Sequence, residues 1–254
     1  MMRSSVRFFA TSIALAALAF SAGIRARAQG NPAQPTPTQP TPAQTTSGQT
    51  TGNGTYVVVD PLAGVRYNNR YDVTLGLAYD HMKAGPTLLQ GSNLGGLDAS
   101  GSYWLTKHWG VEGTFRPYLG TSGTGPNDAN TNGGPIKGAF VSQYLFLGGA
   151  EWLGPHNKHG DLIAHALFGG AYGQFQKDLL GQSPSVVDFY NNQIAPAAII
   201  GGHMDLNRSA HWVLRITPDA VMTHYGINYY PNTKQFDVNF ALSVGVEYKF
   251  KKKR

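Results

Sequence analysis

The most restrictive feature of this 254-residue chain is an unbroken two-residue periodicity near its C-terminal end. From position 236 to 250, large apolar side chains alternate with small or polar ones. The apolar set is Phe236, Val238, Phe240, Leu242, Val244, Val246, Tyr248 and Phe250. Because successive side chains of a β-strand point to opposite faces, this alternation predicts a strand with one apolar face.

The same periodicity recurs upstream, from about position 69. It is clear in 71–79, 97–105, 109–118 and 212–223, and it is mixed with many Gly and Ala residues in 138–152, 161–175 and 193–206. Long segments rich in Gly, Asn and Pro alternate with short turns between these strands. The long segments lie near 83–92, 120–137, 176–192 and 224–235, and the turns at 107–108, 154–160 and 207–211. With no competing helical periodicity, the sequence predicts an all-β meander of eight strands.

The polar faces indicate what surrounds these strands. In most strands the polar face carries ionisable side chains, which a soluble barrel would turn to water and a membrane barrel to its lumen. These residues are Asp72, Asp98, Glu112, Arg116, His203, Asp205, Arg215, Asp219 and Glu247. Aromatic residues at strand ends favour the membrane, where interfacial girdles flank the lipid-facing band. The predicted girdle is Tyr71, Tyr79, Tyr103, Trp109 and Trp212.

These patterns together predict a closed antiparallel up-and-down transmembrane β-barrel of eight strands. Closure is required because an open sheet edge in lipid leaves backbone groups unpaired. The lumen of so narrow a barrel is filled by side chains, and charges buried there must pair. We therefore expect a network that uses Glu112, Arg116, Arg215, Asp219 and Glu247. Structural filling is its expected role, and a small gated conductance is the alternative.

The residues before the barrel are expected to be a leader and a linker. In residues 1–28, Arg3 and Arg7 precede a largely apolar stretch, and Ala26-Arg27-Ala28 gives a small-x-small cleavage pattern, as in a secretory signal peptide. Residues 29–54 contain five prolines and no charge, which predicts a disordered linker. The barrel domain is then 55–250, and 251–254 form a basic tail.

Charge and composition narrow the function classes. Of the 20 Lys and Arg residues, four lie in 1–28 and four in 251–254, so the remaining 12 face 14 acids in 29–250. No basic patch for nucleic acid is left in the predicted barrel, so no nucleic-acid partner is expected. The chain has no cysteine, which excludes disulfides, thiolate metal sites and a cysteine nucleophile.

Histidines are the remaining candidates for site chemistry. His156 and His159 lie in a predicted turn with no acid beside them, so a solvated turn is favoured over a metal site. His203 and Asp205 share one strand face, as a general base and its orienting carboxylate would, but lumen packing is the favoured interpretation. The sequence therefore predicts no catalytic residue, no metal and no cofactor.

The C-terminal strand carries a specific motif. Residues 243–250 match the pattern polar-x-Gly-x-x-aromatic-x-aromatic through Ser243, Gly245, Tyr248 and Phe250. This resembles the assembly signal of bacterial outer-membrane barrels, and residues 69–250 resemble the OmpA-type and OmpX-type family of small eight-stranded barrels. Two features depart from that family: four basic residues follow Phe250, and no peptidoglycan-binding domain follows the barrel.

The resemblance implies a non-enzymatic outer-membrane protein with a structural, surface-interaction or minor-pore role. Both termini would lie in the periplasm and the four long loops outside. Expected partners are outer-membrane lipid and lipopolysaccharide, with the barrel-insertion machinery and periplasmic chaperones during assembly; the sequence identifies no external ligand. Three alternatives remain open: a narrow diffusion channel, a lipid-modifying outer-membrane enzyme and a soluble periplasmic ligand-binding barrel.

Overall fold

The computed structural model describes residues 60–86, 88, 91–123, 138–179, 181–226 and 236–250, and the backbone of 49–50 and 55–56. The predicted signal peptide, the predicted linker before residue 49 and the basic tail lie outside the described residues. The chain divides into two units, 1–57 and 58–254. Within the described part, no helix is long and apolar enough to cross a membrane.

The second unit is built on eight strands that close into a barrel. They are β1 (Tyr71–Met82), β2 (Ser92–Trp104), β3 (Trp109–Thr121), β4 (Phe140–Asn157), β5 (Gly160–Gln174), β6 (Gln193–Asn207), β7 (Trp212–Thr223) and β8 (Asp237–Lys249). Each strand pairs antiparallel with the next one along the chain, and β8 pairs with β1 to complete the ring. The predicted closed, eight-stranded, up-and-down architecture is thus confirmed.

Two boundaries differ from the sequence-based expectation. Thr55–Tyr56, placed in the barrel domain by the sequence, instead pairs locally with Gln49–Thr50, and the first barrel strand begins at Tyr71. The turn expected at 154–160 is shorter, because β4 and β5 stay paired up to Asn157 and Gly160 across a bulge. Pro155 lies inside that bulge, where its missing N–H costs no ladder hydrogen bond.

The outward face of the barrel is apolar. The side chains of Leu77, Phe168 and Ile194 are 72%, 66% and 80% exposed, so these large apolar groups lie on the outside of the barrel and not in a core. No Asp, Glu, Lys or Arg occupies an outward position of the eight described strands. The ionisable residues of the strands point inward, so the polarity of the barrel is the inverse of that of a soluble one.

Most of the predicted girdle residues lie at one end of this apolar surface. Tyr71, Tyr103, Trp109 and Trp212 are at the end that carries the short turns, and the rings of Tyr71 and Tyr103 are 5.0 Å apart. Tyr79 is different, because it lies near the far end of β1, on the side of the long loops. A band of aliphatic and phenyl side chains separates the two ends.

An apolar cluster that the sequence did not predict fills the loop end of the lumen. Phe175, Tyr190 and Tyr225 are at most 1% exposed, and their ring centroids are 5.0–5.9 Å apart. Two of these residues come from segments that the sequence marked only as polar loops. The Tyr190 hydroxyl donates to the Asp237 carboxylate at the start of β8, which ties the 175–192 loop to the barrel.

The seam between β1 and β8 depends on two facing glycines. Gly76 and Gly245 are register partners with no side chain between the strands. A Cβ on Gly245 would lie 2.7 Å from Gly76 Cα and 2.7 Å from the Leu75 carbonyl oxygen, both far inside van der Waals contact. Gly245 therefore has a packing role as well as its place in the terminal motif.

Replacing Gly245 by Ala should destabilise the barrel by about 1–3 kcal/mol, the usual cost of forcing an extra carbon into a filled space. Urea unfolding in detergent, followed by tryptophan fluorescence, would measure the change. Gly113→Ala is the matched control, because a Cβ there meets nothing within 4 Å. Equal stability of the two variants would contradict the close approach at the seam.

Candidate functional site

All nine ionisable residues that the sequence assigned to the lumen are inside the barrel, and none is more than 3% exposed. They come from β1, β2, β3, β6, β7 and β8, so the ring closure is what brings them together. Their contacts divide them into clusters at different depths, and a buried charge without a partner would be very costly.

Arg215 organises the first cluster. Its Nε and Nη2 donate to the two carboxylate oxygens of Asp205, each at 2.8 Å, in a bidentate pair. Nη2 also donates to Glu247 Oε2 at 2.8 Å, and Nη1 to Thr74 Oγ1 at 3.2 Å. One guanidinium therefore joins β1, β6, β7 and β8, using the planar donor geometry that distinguishes Arg from Lys.

Arg116 organises the second cluster. Its Nη1 donates to Asp219 Oδ2 at 2.5 Å, and its Nε lies 3.2 Å from Asp98 Oδ1. Asp98 also accepts hydrogen bonds from the hydroxyls of Thr114, at 3.1 Å, and Ser243, at 2.7 Å. Ser243, the polar position of the terminal motif, is thus a lumen residue that helps to solvate a buried carboxylate.

The third cluster contains a residue that the sequence did not single out. Glu112 Oε2 lies 2.8 Å from His165 Nδ1 and 3.1 Å from His203 Nε2, and these two nitrogens are 3.1 Å apart. His165 was missed because β5 alternates weakly, with small Ala and Gly residues on its outer face. His165 lies four residues after Asp161, an inward-facing acid of the same strand, and this even spacing is the signal that could have located it.

A glycine connects the second and third clusters. His165 Nε2 lies 2.8 Å from Asp219 Oδ1, although Gly201 stands between the two residues in the register of β5, β6 and β7. A Cβ on Gly201 would lie 1.9 Å from that same oxygen. The absence of a side chain at Gly201 is therefore what lets the carboxylate reach across β6.

A further group lies at the turn end of the lumen. Lys249 Nζ is 3.2 Å from Asp161 Oδ2 and 5.0 Å from the centre of the Tyr67 ring, and Trp104 Nε1 donates to Asp72 Oδ2 at 2.7 Å. Burial raises the pKa of the Tyr67 hydroxyl above its usual value. All five residues line one small cleft, and the sequence assigned Asp72 alone among them to the lumen network.

The histidine pairs considered from the sequence have other partners. Asp205 is bound to Arg215, and His203 Nδ1 faces Thr217 Oγ1 at 2.9 Å, so these two residues do not form a base and its orienting carboxylate. His156 and His159 are exposed beside the β4–β5 turn, and the His156 ring lies 4.5 Å from that of Tyr67.

The described lumen holds more acids than bases. Nine Asp and Glu side chains of the strands are buried there, against Arg116, Arg215 and Lys249, with His165 and His203 as the further basic groups. Glu151, whose Oε2 accepts from Ser102 Oγ at 3.0 Å, is one of the acids without a Lys or Arg partner among the described ion pairs. The interior therefore favours protons or cations over anions.

Replacing Arg215 by Met should destabilise the fold by about 3–5 kcal/mol, because Asp205 and Glu247 are left buried without their counter-charge. Arg208→Met is the matched control, since Arg208 is exposed in the β6–β7 turn and should change stability by less than about 1 kcal/mol. Urea midpoints of both variants in detergent give the comparison. A similar midpoint for the two would show that the buried cluster adds nothing to stability.

No protein-family model matches the chain, and no curated protein matches it in sequence. Several solved structures are similar to it. Ail of Yersinia pestis, in complex with the heparin analogue sucrose octasulfate, is 15% identical over 72% of this chain and 99% of its own, with a TM-score of 0.42. Neisserial surface protein A is 14% identical over 71% and 97%, with a TM-score of 0.44. The N-terminal β-barrel domain of Pseudomonas aeruginosa OprF is 13% identical over 72% and 98%, with a TM-score of 0.40.

Similarities at this level carry no information on ligand or activity. The architecture is defined by the strand pairing itself, which forms an antiparallel ring of eight strands in sequence order. The fold expected from the sequence resemblance, a small closed eight-stranded barrel, is the fold that the chain adopts.

Proposed function

We propose that this protein is a non-enzymatic β-barrel of the bacterial outer membrane, with a structural or surface-interaction role. The observation that carries the proposal is the inverted polarity of the barrel. Leu77, Phe168 and Ile194 project outward from an uncharged band, while the charged side chains of the eight strands face the interior. A lipid environment satisfies both faces, and the closed ring leaves no backbone edge exposed to lipid.

The proposed orientation follows from the strand count. An even number of strands puts Tyr71 and Lys249, the ends of the barrel, on the same side as the short turns. In outer-membrane barrels the short turns face the periplasm and the longer loops face outward. We therefore place both termini in the periplasm, and the loops after β1, β3, β5 and β7 at the cell surface.

A structural role is favoured over an open pore because the lumen is occupied. Arg116 and Arg215 span its middle, and the apolar cluster around Phe175, Tyr190 and Tyr225 covers its loop end. An eight-stranded barrel has little room beyond its own side chains. A soluble ligand-binding barrel is disfavoured for the opposite reason: its apolar side chains would have to line the interior.

A lipid-modifying enzyme would need its reactive groups at the lipid-facing rim. Most strand carboxylates, His165 and His203 are instead buried, and His203 contacts Glu112, His165 and Thr217 in the interior. The exposed strand histidines are His81, whose Nδ1 faces Asn93 Oδ1 at 2.9 Å, and His156, whose Nδ1 faces the Gly154 carbonyl oxygen at 3.0 Å. The interior contacts support a non-catalytic role for His203, the strand histidine that the sequence had offered as a general base.

The terminal strand fits the proposed assembly route. Phe250 is exposed on the outer surface, with the Tyr248 ring beside it at a centroid distance of 5.0 Å. The outer-membrane lipids, lipopolysaccharide, the insertion machinery and periplasmic chaperones remain the proposed partners. The two aromatic side chains would be available to the insertion machinery, while Ser243 and Gly245 face the lumen.

Envelope fractionation tests the location directly. We expect the protein in the outer-membrane fraction, extractable only with detergent, and we expect its electrophoretic mobility to change when the sample is boiled. Both results would indicate a stable closed barrel in a bilayer. Recovery as a soluble periplasmic species with no heat-dependent shift would overturn the proposal.

An arginine placed at mid-height on the outer face distinguishes a membrane-embedded barrel from a soluble one. Leu77→Arg should weaken folding into lipid vesicles by about 2–4 kcal/mol, whereas Phe236→Arg, at the loop end, should cost about 0–1 kcal/mol. Urea titration of vesicle-folded protein measures both. In a soluble protein, a surface arginine would leave stability nearly unchanged at either position, and that result would contradict the lipid-facing assignment.

A further inference from the structure

In the cluster of Glu112, His165 and His203, the ion-pair partners of the carboxylate among the described residues are two histidines, with no Lys or Arg. The donor atoms Oε2, Nδ1 and Nε2 form a nearly equilateral triangle with edges of 2.8, 3.1 and 3.1 Å. Their side chains are at most 1% exposed. The two imidazole rings are perpendicular, at 89°, so the nitrogens meet without the rings stacking.

We propose that Glu112, His165 and His203 bind one divalent first-row transition metal ion, with Zn²⁺ as the reference case. Two imidazole nitrogens and one carboxylate oxygen are a common ligand set for such ions. For metal–ligand bonds of about 2.1 Å, adjacent ligands are about 3.0 Å apart around an octahedral ion, which is the size of this triangle. Around a tetrahedral Zn²⁺ ion they are about 3.4 Å apart, so the triangle would have to widen by about 0.3–0.6 Å. The three atoms therefore have the spacing of one octahedral coordination face.

The hydrogen bonds behind the triangle direct the lone pairs towards its centre. His165 faces two carboxylate oxygens at 2.8 Å, Asp219 Oδ1 at Nε2 and Glu112 Oε2 at Nδ1. When neutral His165 donates its proton to Asp219, its Nδ1 is left as a lone-pair donor. Thr217 Oγ1 lies 2.9 Å from His203 Nδ1 and can accept from it in the same way. Outer carboxylate and hydroxyl partners of this kind orient metal-binding histidines in known sites.

Two further observations favour a cation at this position. Glu112 Oε1 is buried and has no hydrogen-bond partner among the described residues, so it is available as a second carboxylate ligand. The described lumen also has the excess of acids noted above, and a dication reduces it. The rival occupant is a proton: an imidazolium at His165 could donate to both Glu112 and Asp219.

The site was invisible in the sequence because its ligands lie on β3, β5 and β6, and 38 to 91 residues separate them. Glu112 and His203 were predicted from the sequence to face the lumen, but nothing in the sequence linked them to each other or to His165. The histidine pair weighed as a metal site, His156 and His159, is exposed beside the β4–β5 turn. The proposal concerns the barrel interior and does not depend on which membrane, if any, surrounds it.

The test uses untagged, detergent-folded protein stripped of metal, because a histidine tag would bind the probe. Zn²⁺ is titrated calorimetrically, and Zn²⁺ is also supplied during folding in a parallel sample, so that slow entry into the lumen cannot hide the site. We expect one Zn²⁺ per chain, and X-ray absorption of the Zn²⁺-loaded protein should show two imidazole ligands with oxygen in the remaining positions.

Four variants locate the site. His165→Gln and His203→Gln should abolish stoichiometric binding, and Thr217→Val, which disturbs no ion pair, should weaken it by about 10–100-fold. The control is His108→Gln/His156→Gln, which removes an exposed pair whose rings are 6.3 Å apart and should leave binding unchanged. Boiled and unboiled electrophoresis identifies the variants that fold.

Three results would overturn the proposal. The first is the absence of stoichiometric Zn²⁺ under both loading conditions, and the second is loss of binding in the His108→Gln/His156→Gln control. The third is an NMR spectrum in which His165 remains doubly protonated when Zn²⁺ is in excess. If Thr217→Val folds and binds Zn²⁺ with unchanged affinity, the Thr217 hydroxyl does not orient His203, and the ligand orientation assigned above is contradicted.

Discussion

The pairing of charges inside a narrow ring is the interaction on which the rest of this structure depends. Arg215 alone contacts groups on β1, β6 and β8 from its place on β7, and Arg116 links β3 to β2 and β7. The contacts with Thr74 of β1 and Asp219 of β7 join strands that are not neighbours, so they are made only when the ring is closed, whereas the other contacts join paired strands. Backbone pairing supplies the ring, and the two guanidiniums determine how its interior can be filled.

Glycine has an unusual part in this interior. Gly201 gives Asp219 the space to reach His165, and the Gly76–Gly245 pair allows β1 and β8 to approach at the closing seam. In both places the missing Cβ belongs to the lumen side. The glycine-rich composition of the strands is therefore partly a packing requirement of a narrow barrel, in which a carbon added on the lumen side at these positions displaces a neighbour.

Sequence periodicity was informative where side chains differ strongly between the two faces. In β8, large apolar groups alternate with Asp237, Asn239, Ser243 and Glu247, and the strand was predicted to within a residue of its bounds. In β5 the outer face includes Ala164 and Ala166, the alternation is weak, and His165 was missed. The aromatic cluster of Phe175, Tyr190 and Tyr225 was missed because loop composition does not reveal burial by distant contacts.

The sequence by itself determined the strand number, the antiparallel order, and which face of each clear strand is apolar, because alternation and turn composition are local properties. Tertiary structure decided which buried acid meets which base. Nothing in the sequence places Asp219 beside both Arg116 and His165, or brings His203 to Glu112 across 91 residues. Those contacts depend on the register and stagger of a closed ring, and they are properties of the whole barrel.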